Sequence, residues 1–443
     1  PRLLTASGGV TLNSTSLTPN RGTRRVRSDA LEIHFSRKSL PRQTLIESVN
    51  SLGPAEVDWQ NTALMNGKPA AQSMRMNGKV MNLKFGPQNQ LRELDSSGGV
   101  EVTRKLGGAP EETTASRDLT ARFSSTGEWS TIDQVGDVRF RDGLFTGQAA
   151  RAHADRSANT VTLNGSVVFS DATTRTTAES AAFSQDTNTL RAGGHVLTTD
   201  LSAAASGAGR ISDFAAEPAH ISADGLTVDT TRGRAVYSGN GRLWQGQSVI
   251  QADRIELDNA THLLVATGDV RGVFPEASWS PRPGQSSESF RNPAAGRNSG
   301  GPKSMAMDLG QVQGGKLTYW EEDSKARIEQ NASAISEQAS IHADQIDLFF
   351  SSAGSANGNK ELSRAVASGD VAVRQQDRRG TSNRAEYTAA EGKFVLSEGN
   401  PTLYSSTGDT TTGRQLTFYF ADDRIVVDSA DGSKTVTLHQ VEK

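Results

Sequence analysis

The sequence predicts an all-β chain: a bent sheet of antiparallel hairpins, repeated about ten to twelve times along 443 residues. Three observations predict it. An apolar–x–apolar phrase runs into a glycine and resumes after it, as in Val161-Thr-Leu163-Asn-Gly165-Ser-Val167-Val-Phe169. The glycines recur at a nearly fixed interval. Gly136, Gly165 and Gly194 stand 29 residues apart, as do Gly239 and Gly268, and Gly369 and Gly399 stand 30 apart. Finally, apolar and polar residues alternate with period two in each copy, the mark of a strand with one buried face.

The copies can be followed along the chain. The first are divergent: Leu31-Glu-Ile33-His-Phe35 leads to Gly53 and Val57, and Met74, Met76, Val80 and Leu83 lead to Gly99 and Val102. Clearer ones centre on Gly136, Gly165, Gly194, Gly239, Gly268, Gly369 and Gly399. Leu317-Thr-Tyr319 with Ala326-Arg-Ile328 is another, with Asn331-Ala332 where the glycine would be. Leu416-Thr-Phe418-Tyr-Phe420 with Ile425-Val-Val427 is the last. A second phrase precedes many glycines: a small residue, an acid, then alternation, as in Ala223-Asp, Ala252-Asp and Ala343-Asp. These acids read as strand-start turn formers. Asp155 to Asn159, Asp186 to Asn188, Asp258-Asn259 and Asp422-Asp423 read as hairpin turns. The stretch 332–343 is also compatible with a short helix. The glycine usually shares the two-residue register of the apolar positions, as in Val161, Leu163, Gly165 and Val167, so it is expected in the inward column, where it lets the strand bend and the facing layer approach.

Two stretches break the repeat, 203–218 mildly and 275–303 strongly. The second is rich in Pro, Gly, Ser, Asn and Arg and reads as a disordered or exposed insertion in one continuous stack. The expected organisation is therefore a tail or incomplete first repeat at 1–30, repeats at 31–274, the insertion at 275–303, and repeats again at 304–443.

Composition narrows the function. Only 35% of residues are hydrophobic, which suits a thin two-layer stack better than one thick core. A net charge of -3, with both signs interspersed, gives no footprint for nucleic acid. The absence of cysteine removes disulfides, zinc–thiolate sites and thiol nucleophiles. No run approaches the roughly 18 apolar residues of a membrane-spanning helix. The first residue is Pro1 rather than methionine, so a processed or trimmed chain is expected, with an anchor or targeting segment upstream.

Chemical motifs are few. His34, His153, His195, His220, His262, His342 and His439 have no metal-ligand spacing and read as surface residues. The Ala-Asp pairs lack the nonapeptide spacing of calcium-binding β-rolls. Gly239-Asn-Gly241 to Gly246 misplaces the third glycine of a dinucleotide fingerprint, and Pro302 stands where a phosphate loop needs lysine. No cofactor or metal is implied, and no nucleophile elbow or ordered carboxylate pair marks an enzyme. A carbohydrate lyase on a β-solenoid remains the enzymatic alternative.

Two stretches carry a family resemblance: Ala252-Asp-Arg-Ile-Glu-Leu-Asp with Leu264-Val-Ala-Thr-Gly-Asp-Val270, and Arg384-Ala-Glu-Tyr387 with Phe394-Val-Leu-Ser-Glu-Gly-Asn-Pro401. Both resemble the OstA-like repeat of lipopolysaccharide-transport proteins, shared by LptA, LptC and the N-terminal domain of LptD. The resemblance implies an elongated antiparallel β-jelly roll, open at one side, whose interior shelters acyl chains while headgroups stay outside. It implies a periplasmic location, tethering to the inner membrane by a segment before Pro1, and lipopolysaccharide or a related lipid as ligand. It also implies partners at each end: an inner-membrane transporter and an outer-membrane LptD-like receptor, joined by end-to-end strand stacking. A chain with more copies than one bridge subunit would replace an oligomer, or fuse LptC-like and LptA-like parts. Physics agrees, since each methylene removed from water gains roughly 0.8 kcal/mol. With strands about 4.8 Å apart, ten to twelve copies would extend on the order of 50–110 Å.

The residues expected to line such a groove are Val138, Phe140, Leu163, Val167, Phe169, Phe183, Leu190, Val196, Ile255, Leu257, Val270, Ile346, Leu348, Val371, Val373, Phe394, Leu396, Leu403, Leu416, Phe418 and Phe420. The same positions could instead fill the core of a structural or adhesive surface β-solenoid, which would wind in parallel coils. Arg21, Arg24, Arg25 and Arg27 read either as a solvated tail or as contacts for anionic headgroups or a membrane surface.

Overall fold

The computed structural model describes residues 2–15, 23–36, 45–65, 68–125, 128–143, 145–201, 218–246, 248–273, 310–335, 339–351, 361–375, 378–405, 408–419, 424–429 and 436–438. The expected insertion at 275–303 lies outside them, as does Phe420. The chain divides into two compact units, residues 1–201 with 225–231, and residues 202–224 with 232–443.

The first unit contains β1 (Leu3–Thr15), β2 (Thr23–Phe35), β3 (Ile46–Ser51), β4 (Ala55–Met65), β5 (Lys68–Phe85), β6 (Leu91–Leu106), β7 (Glu112–Ser116), β8 (Asp118–Phe123), β9 (Trp129–Asp142), β10 (Phe145–Asp155), β11 (Thr160–Ser170), β12 (Thr174–Ser184) and β13 (Thr189–Asp200). One 3-10 turn at Pro87–Asn89 interrupts them. β14 (Ala219–Asp229) has residues in both units. The second unit continues with β15 (Arg234–Gln245), β16 (Ser248–Asp258), β17 (Leu263–Val273), β18 (Gln311–Trp320), β19 (Lys325–Ile335), β20 (Ala339–Ser351), β21 (Glu361–Gln375) and β22 (Arg378–Thr388). It closes with β23 (Lys393–Ser397), β24 (Thr402–Tyr404), β25 (Thr410–Thr412), β26 (Gln415–Tyr419), β27 (Arg424–Asp428) and β28 (Val436–Leu438).

The fold is all-β and antiparallel, a meander of hairpins in tandem, so the parallel coils of the solenoid alternative are absent among the described residues. The turns close as their composition dictates. Asp155 Oδ1 accepts from the Ser157 and Ala158 amides at 2.8 and 3.0 Å, and Asp258 Oδ1 accepts from those of Ala260 and Thr261 at 3.0 and 3.1 Å. The possible helix at 332–343 is not formed. Residues 325–335 and 339–351 are β19 and β20, paired Ala332↔Ala343 through Ile335↔Ser340. Alternating Ala332, Ala334, Ile341 and Ala343 are all buried, so the small residues serve a strand face rather than a helix.

The bend differs from the expectation. Each glycine phrase carries one extra residue, visible as a register shift such as Asn164/Val167 in β11 and Thr267/Val270 in β17. Gly268 has φ +80 and Asp269 φ +39, so two successive residues adopt the left-handed region. The extra residue turns the glycine to the outer face, while Ala266 and Val270 on either side both stay inside. A Cβ on Gly268 would lie 2.8 Å from the Asp253 Cβ on β16. Asp253 is thus the second half of the corner, in mid-strand rather than at a strand start. The acid-then-glycine order of the two phrases encodes one bulge shared by neighbouring strands.

A different glycine allows close approach between layers. Gly380 on β22 faces inward, and a Cβ there would be 2.6 Å from Leu396 Cδ1.

Candidate functional site, the apolar interior

Strand register assembles the interior one residue per strand. In the second unit, one column runs Tyr237–Ile255–Ala266–Leu317–Ile328–Ile346–Ala367–Ala385–Leu396–Leu416–Val427. A second runs Ala235–Leu257–Leu264–Tyr319–Ala326–Leu348–Ala365–Tyr387–Phe394–Phe418–Ile425. Across the bulges a third runs Leu243–Ile250–Gly272–Val312–Ala334–Ile341–Val373–Gly380–Leu403. No charged side chain interrupts any of the three. Neighbouring strands are about 4.8 Å apart, so each column brings an apolar residue or a glycine to the interior at every strand.

The first unit repeats the pattern. Its column runs Leu4–Ile33–Val49–Leu83–Leu94–Ala121–Ile132–Ala154–Val161–Phe183–Leu190. Across the bend another runs Leu12–Val26–Val57–Met76–Val102–Thr114–Phe140–Gly147–Phe169–Thr176–Thr198. Here the interior admits polar groups. Thr114 Oγ1 donates to Gln134 Oε1 at 3.0 Å, Gln134 Nε2 donates to Ser116 Oγ at 3.3 Å, and Ser116 donates to the Asp118 carbonyl at 3.0 Å. Buried Thr176 and Thr198 share a hydroxyl hydrogen bond of 2.9 Å.

The residues expected from sequence fall on these inner faces in two groups. Val138, Leu163, Val167, Val196, Ile255, Leu257, Val270, Ile346, Leu348, Val371, Phe394, Leu396 and Leu416 are buried. Phe140, Phe169, Phe183, Leu190, Val373, Leu403 and Phe418 are half-buried. The structure draws five of them together. Val373 and Leu403 on one arm of the bend, and Phe394, Leu396 and Phe418 on the other, line a small hollow of about 30 Å³ with Gly380, Gln375 and Arg378 at its rim. Phe394 and Phe418 approach with ring centroids 6.5 Å apart. Interior residues that sequence reading left out include Tyr237, Leu243, Ile250, Leu317, Tyr319, Ile328 and Tyr387, all nearly inaccessible. Their signal was present as alternation. Their membership of a column needed the register, which depends on the bulges.

The outer face is laced with ion pairs. Arg27 pairs with Glu56 and with Asp58 at 3.3 Å, and Arg75 with Asp58 at 3.0 Å. Arg25 donates to Asn13 at 3.1 Å on the same face, while Arg24 lies on the inner side over the core-packed Trp59 ring at 4.6 Å. Arg24, Arg25 and Arg27 therefore belong to β2 and not to a solvated tail, while Arg21 lies outside the described residues. Asp347 is held by Arg327 at 2.7 Å and Lys325 at 3.2 Å. Burial alone would push its carboxyl up, but the two cations outweigh burial and hold it below the usual carboxylate range. Histidines stand on this face beside carboxylates, His153 at 2.7 Å from Asp133 and His195 at 2.9 Å from Glu179.

The geometry defines a class: a tandem-hairpin β protein whose bent sheet encloses an apolar interior running from strand to strand. Comparison with known proteins places it. A profile described as "LptA/(LptD N-terminal domain) LPS transport protein" matches residues 220–349 and 311–424. Over those residues the repeats match the family of LptA and the LptD N-terminal domain, described as lipopolysaccharide-transport proteins. No curated protein sequence matches the chain. Seven chains of solved structures match. One is LptH of Pseudomonas aeruginosa, described as the LptA homologous periplasmic component of the conserved lipopolysaccharide transport device. It is 11% identical with a TM-score of 0.26, over 29% of this chain and 94% of that one. No helix among the described residues is long and apolar enough to cross a membrane.

Proposed function

We propose that this chain is a periplasmic carrier that shields the acyl chains of lipopolysaccharide, or a related lipid, on the way from inner to outer membrane, with no catalytic step of its own. The observation that carries the reading is the set of uninterrupted apolar columns through the second unit, with a hollow between the two arms of the bend at Val373, Leu403, Phe394, Leu396 and Phe418. A multi-acyl lipid loses most of its barrier to crossing water if each methylene finds an apolar neighbour, at roughly 0.8 kcal/mol apiece. Columns supply such neighbours at every strand without a tight site at any one. The other interior residues expected from sequence would line the same path, the arms moving apart to admit the chain where they are closely packed.

Partners would add at the strand edges. Among the described residues β1 pairs only with β2, and β27 only with β26. Each leaves a row of backbone groups for a further strand. An inner-membrane transporter at one end and an LptD-like receptor at the other fit this arrangement. The repeats on either side of 275–303 would then be parts of one carrier.

The test is mass spectrometry of lipid extracted from the full chain purified without detergent. A multi-acyl glycolipid in near-stoichiometric amount is the expected result. A lipid-free protein that also takes up none from lipopolysaccharide micelles would favour the filled-core, structural reading.

A further inference from the structure

Many cations on the outer face pair with an acid on an adjacent strand: Arg27 with Glu56, Lys84 with Glu93 at 2.5 Å, Arg122 with Asp133 at 3.2 Å, Arg364 with Glu386 at 2.7 Å. Three arginines of the first unit that line one cleft do not. Arg139, Arg141 and Arg175 are exposed, and among the described residues they make no ion pair or hydrogen bond. Their strand neighbours explain why. Arg139 is flanked by Ala115 and Gln148, Arg141 by Thr113 and Thr146, and Arg175 by Ser170 and Thr199. None of these can neutralise a guanidinium, and most are too short to cover one.

This patch is concave. A cleft of about 440 Å³ is lined by the three arginines together with Thr113, Thr146, Gln148 and Ser170, and Glu101 is the one carboxylate on its wall. Arg139 and Arg141 are two residues apart on one strand, about 7 Å, and Arg175 lies three strands away, about 14 Å at the backbone. Guanidinium groups bind phosphoryl oxygens in bidentate fashion, and hydroxyl and amide side chains between them suit sugar hydroxyls.

We propose that this outer cleft, formed by β7, β9, β10, β11 and β12, binds the phosphoryl groups of a phosphorylated lipid headgroup. The choice of a lipid as the source rests on the transport reading; the cleft's affinity for phosphoryl groups does not. The arrangement would divide one ligand between two faces of the sheet, acyl chains inside and phosphates outside. It would also give the first unit a selectivity that an apolar interior cannot supply.

The experiment compares the full chain with R139A/R141A/R175A and with R139K/R141K/R175K, all shown by circular dichroism to keep the strand signature. Binding is titrated with lipopolysaccharide and with the same lipid stripped of phosphate. The native chain should prefer the phosphorylated form by tenfold or more, about the worth of one charge-assisted contact. The alanine variant should bind both forms equally, and the lysine variant should keep part of the preference. Equal affinity of the native chain for both forms, or a preference surviving in the alanine variant, would overturn the proposal. Inorganic pyrophosphate titrated alone separates this result from the transport reading. Binding that is lost in the alanine variant supports the cleft even where the chain carries no lipid. Pyrophosphate binding unaffected by the variant counts against it.

Discussion

Asp347 shows how single residues hold the outer face. It is 8% exposed and carries two cationic partners on neighbouring β19. Its folded pKa is depressed, so the stability it contributes is present above the ordinary carboxylate value of about 4 and is lost as pH falls through the lower folded value. Asp347→Asn removes the charge and leaves Arg327 and Lys325 facing an amide. The variant should unfold at lower urea than the native chain at pH 7, and the gap should close as pH falls through the depressed folded value, below the ordinary carboxylate range. A gap that stays constant down to acid would show that the ion pairs contribute nothing there. The same residue shows a limit of sequence reading. Asp347 stands in the alternation between Ile346 and Leu348 as one more outward polar residue, and only the pairing Arg327↔Asp347 reveals its partner.

At the scale of the element, the unit of construction is the corner made by an acid and a glycine on adjacent strands. Sequence showed both phrases and their 29-residue spacing, because each corner must recur at the same height for the sheet to bend along a line. It expected the bend but placed the glycine on the inner face, because the two-residue register was carried through the corner, where the bulge adds a residue. Gly268 tests the account. With φ +80 and Asp253 against its missing side chain, Gly268→Val should cost about 1–3 kcal/mol from the backbone alone, with more from the clash. Urea denaturation should show part of that loss recovered in the double variant with Asp253→Gly, which clears the side chain but not the strain. Equal losses with and without Asp253 would mean that the two do not form one corner.

At the scale of the molecule, the fold class was legible throughout, since period-two alternation survives even in divergent copies such as Leu31 to Val57. The interior was legible in part. Phe169, Leu257 and Phe418 announce themselves by alternation with apolar neighbours two residues away. Tyr319 and Tyr387 do not, because a tyrosine reads equally well on either face until its column is known. The arginine cleft was not legible, since Arg139, Arg141 and Arg175 are 36 positions apart at the extremes and meet only when β9 to β12 are laid side by side. The central claim is that the apolar columns accept acyl chains rather than merely fill the core. Site-specific photo-crosslinking in the full chain tests it most directly. A photoreactive residue at Phe169, Leu257 or Phe418, on inner faces, should capture lipopolysaccharide, while one at Thr162 or Glu256, on outer faces, should not. Equal labelling of both sets, or labelling of the outer set alone, would contradict the account.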